Sequence, residues 1–177
     1  MSVAEEPYVS KRGERYHQSQ LVMHWVVVFL VAMQFAFHGA MERDFWNAVE
    51  LGYLPPSGGA WAHGIGGGLI FGAMIWRLFM RRHYGAPPPP ETEPSAIQKV
   101  SRGVHYAFYV LLIGMPVFGA LALWTLSPTL ALAHKLAGWL LLALIAAHFA
   151  GAMWHAFKKD GVVKRMLRRN PADRASI

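Results

Sequence analysis

Four apolar runs, at 21–40, 60–80, 105–126 and 130–157, are each long enough to cross a ~30 Å hydrocarbon core as a helix. No other feature constrains the fold as strongly, because a segment in lipid must satisfy its backbone hydrogen bonds internally. The 177 residues are 54% hydrophobic and only 15% charged, too apolar for a small soluble domain. The expected fold is therefore an all-α integral membrane protein, a single domain built as a four-transmembrane-helix bundle. The first run is too long for the core of a signal peptide and is read as a retained span.

The charges orient the bundle. Lys11, Arg12 and Arg15 precede the first span, and Arg81, Arg82, Lys99 and Arg102 lie between the second and third. Lys158, Lys159, Lys164, Arg165, Arg168, Arg169 and Arg174 follow the fourth. The connection after the first span sets Arg43 against Glu42, Asp44 and Glu50, and the one at 126–129 carries no charge. The positive-inside rule then puts the N and C termini and the middle loop in the cytoplasm. A net charge of +7 would suggest nucleic acid in a soluble protein. Here the tail at 158–177 reads instead as a stop-transfer segment resting on anionic membrane lipid, with no nucleic-acid partner. Pro87–Pro90 and Pro94 make the loop at 84–100 a stiff extended linker. Trp46, Tyr53 and Trp61 fit an outer aromatic belt, and Trp25, Tyr84, Tyr106 and Trp154 an inner one.

The chain has no cysteine, which excludes a structural disulfide, a thiolate-held Fe–S cluster and covalent c-type haem. Any metal must be held by the nine His or nine Met. His134 and His148 stand fourteen residues apart in the fourth span, which on a helix is four turns less ~40° with a rise of ~21 Å. The two rings face one way at two depths, and histidine inside a membrane is costly enough to mark function. His24 lies one turn into the first span from the cytoplasmic side, and His63 just inside the second span from the outer side. Depth therefore pairs His63 with His134 and His24 with His148, each pair from two helices.

Two histidines in a bundle core with almost no Asp or Glu suit bis-imidazole haem b, so two haem b groups are expected. Zinc would need a third or fourth ligand. A copper site of His and Met stays open, without a recognisable motif. Filled axial positions limit the iron to one-electron transfer. Gly64, Gly66, Gly67 and Gly68, directly after His63, suit either close helix packing or a porphyrin lying against those turns. Arg77, fourteen residues beyond His63, is either a snorkelling boundary residue or a partner for a propionate or quinone headgroup. His105 and His155 are candidates to ligate the inner haem or to hydrogen-bond a propionate or quinone. His38, fourteen residues beyond His24, competes for an outer role, and Met33, Met74, Met115 and Met153 are core filler.

These residues resemble the bacterial cytochrome b561 proteins, a four-helix di-haem b family, over roughly residues 16–169. The resemblance is carried by residues 16–25 ending in His24-Trp25, by the His63 helix closing with Arg77-Leu78, and by His105-Tyr106 followed by Gly114-Met115-Pro116. The His134/His148 pair with His155, and Lys159-Asp160 before the basic tail, complete it. The resemblance implies a multi-pass protein of the bacterial inner membrane, with His63 and His134 on a periplasmic haem and His24 and His148 on a cytoplasmic one. It implies an enzyme, a superoxide:ubiquinone oxidoreductase taking electrons from superoxide as periplasmic donor. Related di-haem subunits imply the alternative, a haem-bearing anchor or accessory subunit of a larger dehydrogenase, respiratory or photosynthetic complex. The short connection before the fourth span departs from the superoxide oxidase pattern. Lys135 and Arg43 are the outer cations available to steer an anion inward.

Overall fold

The computed structural model describes residues 16–56, 58–89 and 93–167. The N-terminal cations Lys11, Arg12 and Arg15, Pro90 of the linker and the tail cations Arg168, Arg169 and Arg174 lie outside the described residues. Six helices follow in order: α1 Gln18–Ala36, α2 His38–Leu51, α3 Gly59–Tyr84, α4 Ser95–Thr125, α5 Pro128–Lys158 and α6 Val162–Leu167. The described residues contain no strand. Among the described residues, α1, α3, α4 and α5 are the four helices long and apolar enough to span a bilayer.

The helix ends follow local chemistry. α1 opens with a capping box, in which the His17 ring accepts from the Ser19 amide and the Gln20 side chain from the His17 amide. α5 opens with Pro128 behind an N-cap Ser127, whose hydroxyl accepts from the Leu130 amide at 3.4 Å. α3 is capped from another helix, because the Asp44 carboxylate of α2 accepts from the Ala60 amide at 3.1 Å. At Gly59 an added Cβ would stand 2.8 Å from the Ala40 backbone, so only glycine lets α2 approach so closely. Arg81, Arg82 and His83 in the last turn of α3 complement the negative end of its dipole.

Hydropathy carries the first span to residue 40, but the helix breaks at Phe37 and α2 starts at His38. The His38 ring bonds the Phe35 carbonyl at 2.8 Å, and the polar sequence from Glu42 onward has no place in hydrocarbon. The helical register joining His24 to His38 ends there, so the fourteen-residue spacing no longer fixes where His38 faces. α4 begins at Ser95, ten residues before the apolar run, and carries Gln98, Lys99 and Arg102 on its polar first turns. α4 and α5 are joined by Leu126, left-handed at φ 46°, and Ser127, a tight connection matching the uncharged stretch at 126–129.

α1 packs on α3, α3 on α4, and α4 on α5, with α2 along the start of α3. The main packing of α5 is with α4 and α6, so it stands off from α1 and α3. The buried core is one layer of Val27, Val31, Ile70, Met74, Leu112 and Leu141. Leu141 lies midway along α5 between His134 and His148, so this layer separates two histidine levels. Most remaining large apolar side chains face outward, as lipid-facing helices require. All seven aromatics expected in the two belts are exposed.

Candidate functional site

Two histidine pairs occupy opposite sides of the core layer. At the level nearer Arg81 and Lys158, here the inner level, the rings of His24 on α1 and His148 on α5 are 6.4 Å apart between centroids. At the outer level the rings of His63 on α3 and His134 on α5 are 5.9 Å apart. An imidazole–metal bond is about 2 Å, so two rings on opposite faces of one ion stand roughly 6 Å apart. Both separations match this geometry. His105 also approaches His148, at 5.3 Å, which is short for two rings sharing an ion. The geometry therefore favours His24 over His105 as the partner of His148.

The outer level is braced on several sides. His134 Nδ1 donates to the Met115 carbonyl of α4 at 3.0 Å, which leaves the lone pair on Nε2. Ligating histidines commonly have their second nitrogen fixed in this way. A Cβ on Gly119 would stand 3.0 Å from Cε1 and 3.2 Å from Nδ1 of His134, so glycine keeps the space in which that ring sits. Gln34 of α1 donates to the His63 carbonyl at 2.8 Å. The two readings of the glycine cluster divide by position. A Cβ on Gly66 would stand 3.0 Å from the Gln34 amide nitrogen, which is close packing, whereas Gly68 opens onto space with nothing within 4 Å.

The inner level is less braced and richer in polar groups. Arg77 of α3 donates from Nη1 to the Gln20 carbonyl at 3.1 Å and lies beside the Tyr109 hydroxyl of α4. Gln20 itself reaches the Gly85 carbonyl at 3.0 Å, tying the start of α1 to the end of α3. No carboxylate contacts Arg77 among the described residues. Phe108 packs on the His148 ring at 5.5 Å.

The structure places His155 between two carboxylates. Its Nδ1 meets Asp160 Oδ2 at 2.6 Å and its Nε2 meets Glu93 Oε1 at 3.1 Å, so no ring nitrogen is left for a propionate or quinone. Glu93 sits within the proline-rich linker, just before Pro94, and sequence distance hid this contact. Asp160 is drawn up by partial burial but held below its ordinary range, because hydrogen bonds from His155 and the Val162 amide outweigh that effect. At the outer surface Lys135 Nζ is bound to Glu42 Oε1 at 2.8 Å, which offsets the cation expected to steer an anion. The Lys135 hydrogen bond and charge hold the Glu42 carboxyl below its ordinary range.

Spacing and depth brought out the two pairs but missed Gln34, Gly119 and Met115. Gln34 carried a signal, as a polar side chain in an otherwise apolar span. Gly119 and the Met115 carbonyl carried none, because their role depends on how α4 meets α5.

A family model described as prokaryotic cytochrome b561 matches residues 15–169. A cytochrome b562 from Cereibacter sphaeroides is 26% identical over 156 residues, covering 86% of this chain and 95% of that protein. A probable superoxide oxidase CybB from Yersinia pestis is 25% identical over 181 residues, covering 87% and 96% respectively.

Proposed function

This chain belongs to the prokaryotic cytochrome b561 family, and we propose that it moves electrons from superoxide, as periplasmic donor, through two haem b groups to a membrane quinone on the cytoplasmic side. It is a multi-pass protein of the bacterial inner membrane, and its work is transmembrane electron transfer on haem b. The observation that carries the finer reading is the pair of histidine levels, each with two rings about 6 Å apart and a single apolar layer between them. His63 and His134 would hold the outer haem, and His24 and His148 the inner one. Bound haem supplies one-electron exchange at iron.

The chain's own groups set the conditions for that exchange. The Met115 carbonyl fixes the His134 tautomer, and Gln34 fixes the His63 turn. Along α5 the two levels are ~21 Å apart, so transfer between them crosses less than the full hydrocarbon core. Arg77 stands at the inner level with donor capacity beyond its bond to Gln20. It would hold a propionate or stabilise negative charge on a reduced quinone oxygen. His105 adds a second ring beside His148 at the same place.

A second reading is favoured by the outer surface, where Glu42 neutralises Lys135 and the link before α5 is too short to build a covering segment. On that reading the protein is a haem-bearing anchor or accessory subunit, and a partner in a larger membrane complex delivers or accepts the electrons. Mixing the purified holoprotein with superoxide and a soluble quinone analogue separates the two. Fast haem reduction followed by quinone reduction supports the oxidase. Haems that superoxide leaves oxidised, in a protein that co-purifies stoichiometrically with a larger partner, overturn it in favour of the subunit.

A further inference from the structure

α1 turns only part of its surface to the bundle. Val27 and Val31 are buried in the core, whereas Val22, Trp25, Val26 and Phe29 form an exposed stripe at helical spacing on another face. A largely apolar groove of about 480 Å³ runs along this stripe, from Gln18 to Leu30, and Met166 and Leu167 of α6 complete its lining. The Trp25 indole donates to the Met166 carbonyl at 3.4 Å, which ties α6 to the cytoplasmic half of α1. The groove wall from Leu21 to Leu30 rises roughly 14 Å. That is about one leaflet of a ~30 Å hydrocarbon core.

Cations cluster beside the α6 side of the groove. Lys164 and Arg165 precede Met166 on the same six-residue helix, and Lys158 and Lys159 close α5 just before it. Arg165 gives Nη1 to the Pro88 carbonyl at 2.9 Å, and its guanidinium keeps further N–H donors for an anion. No carboxylate lines the groove among the described residues. We infer that the groove binds one acyl chain of an anionic phospholipid, with its phosphate held by Lys164 and Arg165. An acyl chain matches the groove in polarity and in length, and a phosphate matches the cations beside it. A quinone tail would share the apolar wall, but its neutral headgroup gains nothing from two cations. Electron transfer plays no part in this binding, which needs only the membrane placement of α1 and α6.

The test uses the full-length holoprotein in vesicles of the same composition in both leaflets. These carry traces of phosphatidylglycerol or phosphatidylcholine bearing a photoactivatable group on the acyl chain, and crosslinks are mapped by peptide mass spectrometry. Phosphatidylglycerol should label the peptides carrying Leu21–Leu30 and Met166 on the order of tenfold more than phosphatidylcholine, since each cation near an anionic headgroup adds affinity. Labelling of lipid-facing α4 peptides should show no such preference. The preference should fall toward parity in the surface variant K164Q/R165Q and at high salt, while helical content and haem spectrum stay unchanged. Equal labelling by both lipids would overturn the site. So would a preference that survives K164Q/R165Q, or loss of labelling when a quinone analogue is added.

Discussion

The outer and inner histidine levels are built differently. At the outer level one ring is held by a backbone carbonyl, its space is kept by Gly119, and the partner's helix turn is held by Gln34. At the inner level a third histidine, an arginine and a tyrosine gather around a pair whose rings make no hydrogen bond among the described residues. A site that only passes electrons gains from rigidity, because a fixed ligand set keeps its potential constant. A site where a quinone takes up electrons and protons needs donors near the cofactor as well. The contrast fits the proposed function, with relay at the outer level and exchange with the acceptor at the inner one.

The largest expected effect breaks the outer level alone. Gly119→Val should press on His134 and abolish or strongly reduce the outer haem, with overpacking costing about 1–3 kcal/mol. The inner haem should remain, read as a fall in haem-to-protein ratio and the loss of one component of the low-temperature optical spectrum. Equal loss of both haems would mean that the levels are not independent.

A smaller effect is expected at Gln34. Replacing it with leucine removes one hydrogen bond, worth about 1 kcal/mol. The outer potential should shift in a redox titration while the inner one stays put. A shift confined to the inner centre would remove Gln34 from the outer brace.

The surface ion pair gives a test of the donor. Glu42→Gln unmasks Lys135, so if superoxide delivers the electrons, reduction of the outer haem should speed up a few-fold at low salt and lose that gain at high salt. An unchanged rate would argue for an uncharged donor or a protein one.

The smallest effect lies in the clasp of Glu93, His155 and Asp160. Asp160 has a folded-state pKa below its unfolded value, so its stabilising contribution is present above the ordinary aspartate range near ~3.9. It is lost as pH falls through the folded value. Wild type should therefore lose thermal stability on acidification below about pH 4 more steeply than Asp160→Asn, which lacks this titration. Parallel stability profiles would show that Asp160 contributes nothing through its charge.

Much of this architecture was legible in the sequence, because a membrane reduces the fold to a few variables. Hydropathy gives the spans, lysine and arginine give the direction expected of them, and a fourteen-residue spacing gives relative depth. With those three, His24 and His148, and His63 and His134, fall at matching depths before any contact is known. The parts that were not legible depend on what meets across helices. Nothing local marks the Met115 carbonyl or Gly119, and the break at Phe37 interrupts an apolar run that hydropathy reads as continuous. The contact of His155 with Glu93 spans all of α4 and most of α5, so nothing local to His155 marks it. Periodicity along one helix reports direction and says nothing about what waits there.

The central claim is that the chain carries two separately ligated haem b centres, one at each level. The most direct measurement is the haem-to-protein ratio of the purified protein together with that of His148→Ala. Two b-type haems per chain are expected in the wild type. The variant should keep one, still reducible and with the spectrum of the outer centre. A wild type with a single haem, or a variant that retains both unchanged, would contradict the pairing.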